Sequence, residues 1–410
     1  MTGTAFTSSS GVSRQGRNLA FICAARAGRT LGFLDGVRVV DATRLLPGGF
    51  CTMILSDMGA EVIKVEQPGL GDYMRVTPPT KGGRSPVHAT VNRNKKSIGI
   101  DLKSAEGKAA MQRLLRTADV FVEGFRPGAM SRLGLSFAQV KKVNPKIVYC
   151  SISAYGQEST LSSMPGHDIN FQSVTGTLAY SAKSEVPFLQ LGDIASGMYA
   201  ALGILGALSG RRRPVFIDVP IVGSLMSWMV LPASAYLATG KAPKEGDSLI
   251  FGSTPYYNVY RTSDGKYVAV AAIEPVFWRN LVGALGLPEL EPLRFGTVEE
   301  RARVTSELER TFATRTRDEW AKALMDKDTC ATPVLTVEEA LASDWAKRLG
   351  MLVGIGREEV LNSPIRTIPA MRKRPYTAAP RLGKDTASVM KALGYSRADT
   401  QRLKSKGVIQ

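Results

Sequence analysis

Five short β-branched runs recur between residues 37 and 153: VRVVD (37–41), EVIKVE (61–66), SIGID (97–101), VFVEG (120–124) and KIVYCSIS (146–153). The stretches between them carry apolar residues at helical spacing. After the first run Pro47 and Gly48 open FCTMILSDMGA, which stops at Gly59, and after the third Ser104 is placed to cap DLKSAEGKAAMQRLLRTAD, with Asp101 and Glu106 near its positive end. Strands alternating with helices in this way are the mark of parallel βαβ units. The chain is therefore expected to be α/β, with an open, doubly wound, Rossmann-like parallel sheet in a large domain over residues 34–220.

The pattern then changes. SGRRRP (209–214) interrupts it before one more strand, VFIDVP, and a helix-like stretch runs to about Thr239. Residues 221–250 are expected to serve as a linker. In STPYYNVYRTSDGKYVAVAAIE two strand-like runs meet at Ser263-Asp264-Gly265, a glycine-containing hairpin connection. That predicts a smaller α+β domain over 251–333, with residues 334–410 returning to the large domain. Residues 1–33 hold four arginines, several Ser and Thr and no acid, a composition that suits a mitochondrial transit peptide or a disordered leader. The expected compartment is cytoplasmic, with mitochondrial the alternative.

Charge and motif content narrow the chemistry. Lys and Arg total 53 against 36 Asp and Glu, so a polyanionic ligand is favoured. No nucleic-acid module matches, GLGDY (69–73) lacks the third glycine of a dinucleotide fingerprint, and no GxxxxGK[ST] occurs. The cysteines at 23, 51, 150 and 330 show no metal or disulfide spacing, and no metal site is expected. No run of 18 apolar residues points to a membrane.

Only two histidines occur. His88, in SPVHATVNRNKKS, has no patterned acidic neighbour and is expected on a solvated loop. His167 follows Pro-Gly, precedes Asp168 and opens a segment with Ile169, Phe171 and Val174 at helical spacing, which would present its ring at a helix N-terminus. A capping loop would use the same residues, but a neutral imidazole is an effective general base near pH 7. Asp193 precedes IASGMYAALGILGAL, an apolar helix expected to be buried, whose dipole and free N–H groups would hold its carboxylate ionised. A simple N-cap is the competing reading. Glu274, in AAIEPVFW, reads on its own as a helix-start acid.

Several long segments, in order, resemble the family III CoA-transferases, the group that also holds the α-methylacyl-CoA racemases. They are LDGVRVVDATRLLPGGFCTMILSDMGAEVIKVEQPGLGDYMR, NRNKKSIGIDLK, ADVFVEGFRPGAMSRLGL, NPKIVYCSISAYGQ, PGHDINFQSVTG, GDIASGMYAALGILGAL, DGKYVAVAAIEP and DTCATPVLTVEEAL. The resemblance implies an acyl-CoA thioester as substrate, with no cofactor beyond the coenzyme A it carries, and an interlocked homodimer. It implies a CoA cleft formed by Gln67, Ile100, Lys103, Gly124, Phe125 and Arg132, with Arg126 beside them. Gln67 and Gly124 stand where the formyl-CoA transferases have Arg and Asn, and Leu46 replaces a Gln of their active site, which argues against formyl transfer. Asp193 stands where both branches place an Asp, whereas His167 and Glu274 match racemase positions, Glu274 being similar to the acid that assists the histidine. Against that, GDIASGM lacks the glycine run of racemases and is closer to the transferase form. The expected activity is racemisation or epimerisation of a 2-methylacyl-CoA, with CoA transfer through an aspartyl mixed anhydride the alternative.

Overall fold

The computed structural model describes residues 32–180, 186–210, 213–244, 254–356, 358–366 and 375–410. Most of the expected leader lies outside these residues. Six parallel strands form one sheet: β1 (Arg38–Ala42), β2 (Glu61–Glu66), β3 (Lys96–Gly99), β4 (Val120–Glu123), β5 (Val148–Ser153) and β6 (Val215–Pro220), in the order β3-β2-β1-β4-β5-β6. The register pairs Val40 with Ile63 on one side and with Phe121 on the other. Side chains alternate across the strands, so each run feeds two cores. Val40, Ile63, Phe121 and Tyr149 face one core, while Val39, Val62, Val120, Val122 and Val148 face the other.

Both faces are covered. Helix α1 (Leu45–Asp57) supplies Cys51 and Leu55 to the second core, and α2 (Pro86–Val91) follows Ser85, whose hydroxyl accepts from the His88 N–H. On the first face α3 (Ala105–Arg116), capped by Ser104, buries Met111, Leu114 and Leu115. The C-terminal segment adds Val389, Met390 and Leu403 to the same face, and Asp101 donates its N–H to the Val408 carbonyl. Helix α4 (Asp168–Val174) buries Phe171 in the second core.

The long helix α5 (Leu191–Ser209) departs from its expected burial. Ala200, Ala201 and Ile204 pack in the second core, but Met198, Tyr199 and Leu202 stand exposed, Leu202 at 60%. Its length and composition would allow it to cross a membrane, yet one face is a core face of the sheet layer. His88 also departs from expectation. It lies on α2 rather than on a solvated loop and is only 6% exposed, because the helix turns its ring inward beneath an otherwise polar stretch.

Residues 176–186 and 226–352 form a second compact unit, distinct from the unit that carries the sheet and residues 353–410. The segment expected as a linker contains two helices, α6 (Ile221–Met226) and α7 (Val230–Thr239). In the second unit β7 (Tyr257–Arg261) and β8 (Tyr267–Ala271) form the antiparallel hairpin, joined by β9 (Ala331–Pro333). Helices α8 (Pro275–Leu285), α9 (Val298–Phe312) and α10 (Arg317–Leu324) close a core around Tyr260, Trp278, Phe312 and Trp320.

The approach of α5 to α1 depends on Gly197. A Cβ there would sit 2.7 Å from the Pro47 carbonyl oxygen, whereas a Cβ at Gly206 on the same helix meets nothing within 4 Å. Gly197→Ala is expected to destabilise by about 1–3 kcal/mol through overpacking against backbone. Gly206→Ala is expected to be neutral or stabilising by up to about 1 kcal/mol. Urea midpoints of the two variants check this, and equal midpoints would contradict it.

Candidate active site

The strand order reverses between β1 and β4, and the loops leaving their carboxyl ends part there to leave a crevice. The loop after β1 is held from below by a buried charge cluster. Asp41 Oδ1 accepts from the Thr43 N–H at 2.9 Å and the Thr43 hydroxyl at 2.6 Å, and Oδ2 accepts from Thr52 at 2.7 Å and Lys95 at 3.2 Å. Lys64 donates to the Thr43 carbonyl at 3.0 Å and pairs with Asp72 at 2.9 Å, and Asp72 accepts from the Leu45 N–H at 3.1 Å. Burial alone would raise the Asp41 carboxyl, but the Lys64 and Lys95 ammonium groups and the two threonine hydroxyls hold it down at about 2. Burial draws Lys95 down to about 8 in spite of Asp41. These bonds hold Leu45 in a left-handed conformation, φ 63°, which a branched side chain adopts only when its surroundings impose it. Gly48 completes the turn, since a Cβ there would collide with Thr43 at 2.2 Å.

Two cavities meet at this loop. The smaller is lined by Gln67, Ile100 and Lys103, with Glu66, Asp72 and Leu133. The larger, about 480 Å3, is lined by Gly124, Arg126, Pro47, Ile152, Phe171 and Ile221, and by both His167 and Asp193. Thr43, Arg44 and Phe125 line both. Arg132, expected in the cleft, lines neither and is exposed on the short helix Ala129–Arg132; its neighbour Leu133 takes the inward position. Leu46 packs against the Met53, Met74 and Val91 cluster.

Sequence reasoning missed Arg44. It donates to Gln67 Oε1 at 3.2 Å and the Tyr73 hydroxyl at 3.3 Å, and its guanidinium lies 5.4 Å from the Tyr73 ring and 5.8 Å from Phe125. The available signal was a lone arginine directly after a buried strand, in DATRLLPGG. Glu123 at the end of β4 was missed as well. Its carboxylate accepts the Phe125 N–H at 2.8 Å, and burial raises it to about 7 despite that bond and the Ser151 hydroxyl.

His167 caps α4 and is exposed toward solvent at the cavity. The next residue, Asp168, is buried and joins two helix starts. Its Oδ1 accepts the Asp193 N–H at 3.0 Å and its Oδ2 accepts from Gln172 at 2.6 Å. Asp193 lies in the first turn of α5, as expected, but the helix end does not hold its carboxyl ionised. Burial, and then the neighbouring Asp168 charge, raise it to about 7. Glu274 belongs to the second unit, exposed at the N-cap of α8, where its charge adds to the effect of burial in raising the Cys330 thiol.

Residues 34–386 match the sequence profile of CoA-transferase family III. The chain belongs to this family. It is 32% identical to human α-methylacyl-CoA racemase over 92% of its length and 97% of that protein. It is 31% identical to human succinyl-CoA:glutarate CoA-transferase, over 92% of its own length and 90% of that one. A crystal structure of a CaiB/BaiF family protein from Brucella suis superposes with a TM-score of 0.78 at 29% identity, covering 88% of this chain and all of the other. Family III members of both kinds are enzymes, and the chain is an acyl-CoA racemase or a CoA-transferase.

In this family III chain the larger cavity sets an apolar wall of Ile152, Phe171 and Ile221 beside an imidazole and a carboxyl that exchanges its proton near neutrality. The Asp193 shift carries a stability consequence. A carboxyl raised in the folded state favours folding while protonated, so its contribution is lost as pH rises from the usual carboxylate range through about 7. Asp193→Asn is therefore expected to stabilise the protein by on the order of 1–3 kcal/mol at pH 8, with most of that gain absent at pH 4.5. Chemical denaturation at the two pH values measures the difference, and a gain independent of pH would refute the assignment.

Proposed function

We propose that this enzyme racemises or epimerises 2-methylacyl-CoA thioesters. The observation that carries the reading is that His167 and Asp193 line one cavity, with Asp193 able to hold or release a proton near neutral pH. The thioester acidifies its α-C–H. The neutral His167 imidazole removes that proton, the electron pair moves onto the thioester oxygen as an enolate, and protonated Asp193 returns a proton to the α-carbon from the other face. The opposite direction uses Asp193 as carboxylate and His167 as imidazolium. Gln67, Ile100, Lys103, Gly124, Phe125 and Arg126 hold the coenzyme A portion in this reading, and the Arg44–Phe125 junction is where the chain of the thioester passes from one cavity to the other. Charge-assisted contacts from Lys103 and Arg126 suit its phosphates.

A homodimer belongs to the same proposal. Met198, Tyr199 and Leu202 on α5, and Val230, Leu231, Tyr236 and Leu237 on α7, are large apolar side chains left exposed in the single chain. In such a dimer Glu274 supports His167, as the racemase branch would have it.

One observation favours a second reading, CoA transfer. Ala195 and Ser196, both fully buried, follow Asp193 where racemases carry glycines. In that chemistry the Asp193 carboxylate attacks the thioester carbonyl, the C–S bond breaks, coenzyme A leaves as thiolate, and the acyl group stays on Asp193 as a mixed anhydride. His167→Ala separates the two. It is expected to lower α-proton exchange of a 2-methylacyl-CoA in deuterated water by roughly 10²–10⁴-fold, the usual contribution of a general base, with CoA binding unchanged. Mass spectrometry reads the exchange. Undiminished exchange in the variant would remove the racemase reading, and hydroxylamine modification of Asp193 after incubation with acyl-CoA would establish the anhydride instead.

A further inference from the structure

Apart from the two cavities above, a cavity of about 240 Å3 opens beside α2, lined by Arg75, Arg84, His88, Glu358 and Arg381 among others. The space is several times that of one water molecule, roughly 30 Å3. His88 is 6% exposed, and its Nε2 is buried with no hydrogen-bond partner among the described residues. A buried polar nitrogen left in that state is rare and points to a group that completes it. Burial first, and then the Arg75 charge, hold the imidazole down at about 4, so it is neutral at physiological pH and carries one N–H to give.

The guanidinium groups around it are not equivalent. Arg75 is committed, with Nε on Glu66 at 2.8 Å and Nη1 on the Pro380 carbonyl at 3.0 Å. Arg84 and Arg381 are exposed, and no ion pair engages either among the described residues. Glu358 is the one carboxylate on the cavity wall among the described residues, so the two uncommitted arginines leave that wall positive. Planar guanidinium forks match tetrahedral oxyanions in geometry as well as charge.

We propose that this cavity is a binding site for a small phosphate-type oxyanion, held by Arg84 and Arg381 and completed by an N–H···O hydrogen bond from His88 Nε2. Occupancy would reach the substrate side through Arg75, whose Nη2 also bonds Glu66 at 2.6 Å, because Glu66 lines the smaller of the two substrate cavities.

The chain has only two histidines, which makes the test direct. Protein labelled with 13C at histidine Cε1 gives two imidazole signals, and His167→Ala assigns them. Inorganic phosphate is expected to shift the His88 signal saturably, while sodium chloride at matched ionic strength leaves it in place. The Arg84→Ala/Arg381→Ala variant, altered only at exposed positions, is expected to weaken that response at least about tenfold with the His167 signal unmoved. A His88 signal that ignores phosphate, or that shifts as strongly in the double variant or with chloride, would overturn the site. A stronger response to succinate than to phosphate would overturn the phosphate-type assignment in favour of a dicarboxylate.

Discussion

The Asp41 carboxylate is the fixed point of this enzyme. It sits fully buried one residue before the end of β1 and spends its oxygens on Thr43, Thr52 and Lys95. Such a group is stable in the interior only because opposite charges and hydroxyls surround it; removing a single member would strand a charge at a cost of about 3–5 kcal/mol. A hydrophobic cluster of the same volume could match the stability, but it would not fix the direction of a loop. Here the Thr43 N–H and carbonyl, and the Leu45 N–H, are each bound to a member of the cluster. The chain leaves the strand in one conformation, and Arg44 projects where the two cavities meet.

The second constraint is the bond between Asp168 and the Asp193 backbone. It ties the start of α4 to the start of α5, so that the residue capping one helix and the acid in the first turn of the other open on the same space. It also sets the Asp168 charge beside the buried Asp193 carboxyl, which adds to the effect of burial. Position follows from this contact, while the proton affinity follows from burial and from the Asp168 charge.

Much of this was legible in the sequence because it rests on local rules. The β-branched runs, the Ser104 cap, the Ser263-Asp264-Gly265 hairpin and the helix opening after His167 are written in contiguous residues. What escaped depends on partners distant in the chain. His88 stands in a polar stretch and reads as solvated, and only the fold turns it inward. The expectation for Asp193 was sound for an isolated helix end but failed because the fold buries the carboxyl and sets the Asp168 charge beside it. Arg44 shows the same limit: an arginine with no assigned role stands where the two cavities meet.

The raised Asp193 carboxyl also bears on why one fold can host two reactions. Proton return to an enolate needs the neutral acid, and attack on a thioester needs the carboxylate. A carboxyl that titrates near 7 supplies both forms at working pH, whereas one at its usual acidity would supply only the second. The choice between the reactions then falls to what stands opposite. An imidazole across the cavity provides the second proton carrier that inversion at carbon requires, and an acyl anhydride has no use for one. In this chain His167 lines the same cavity as Asp193.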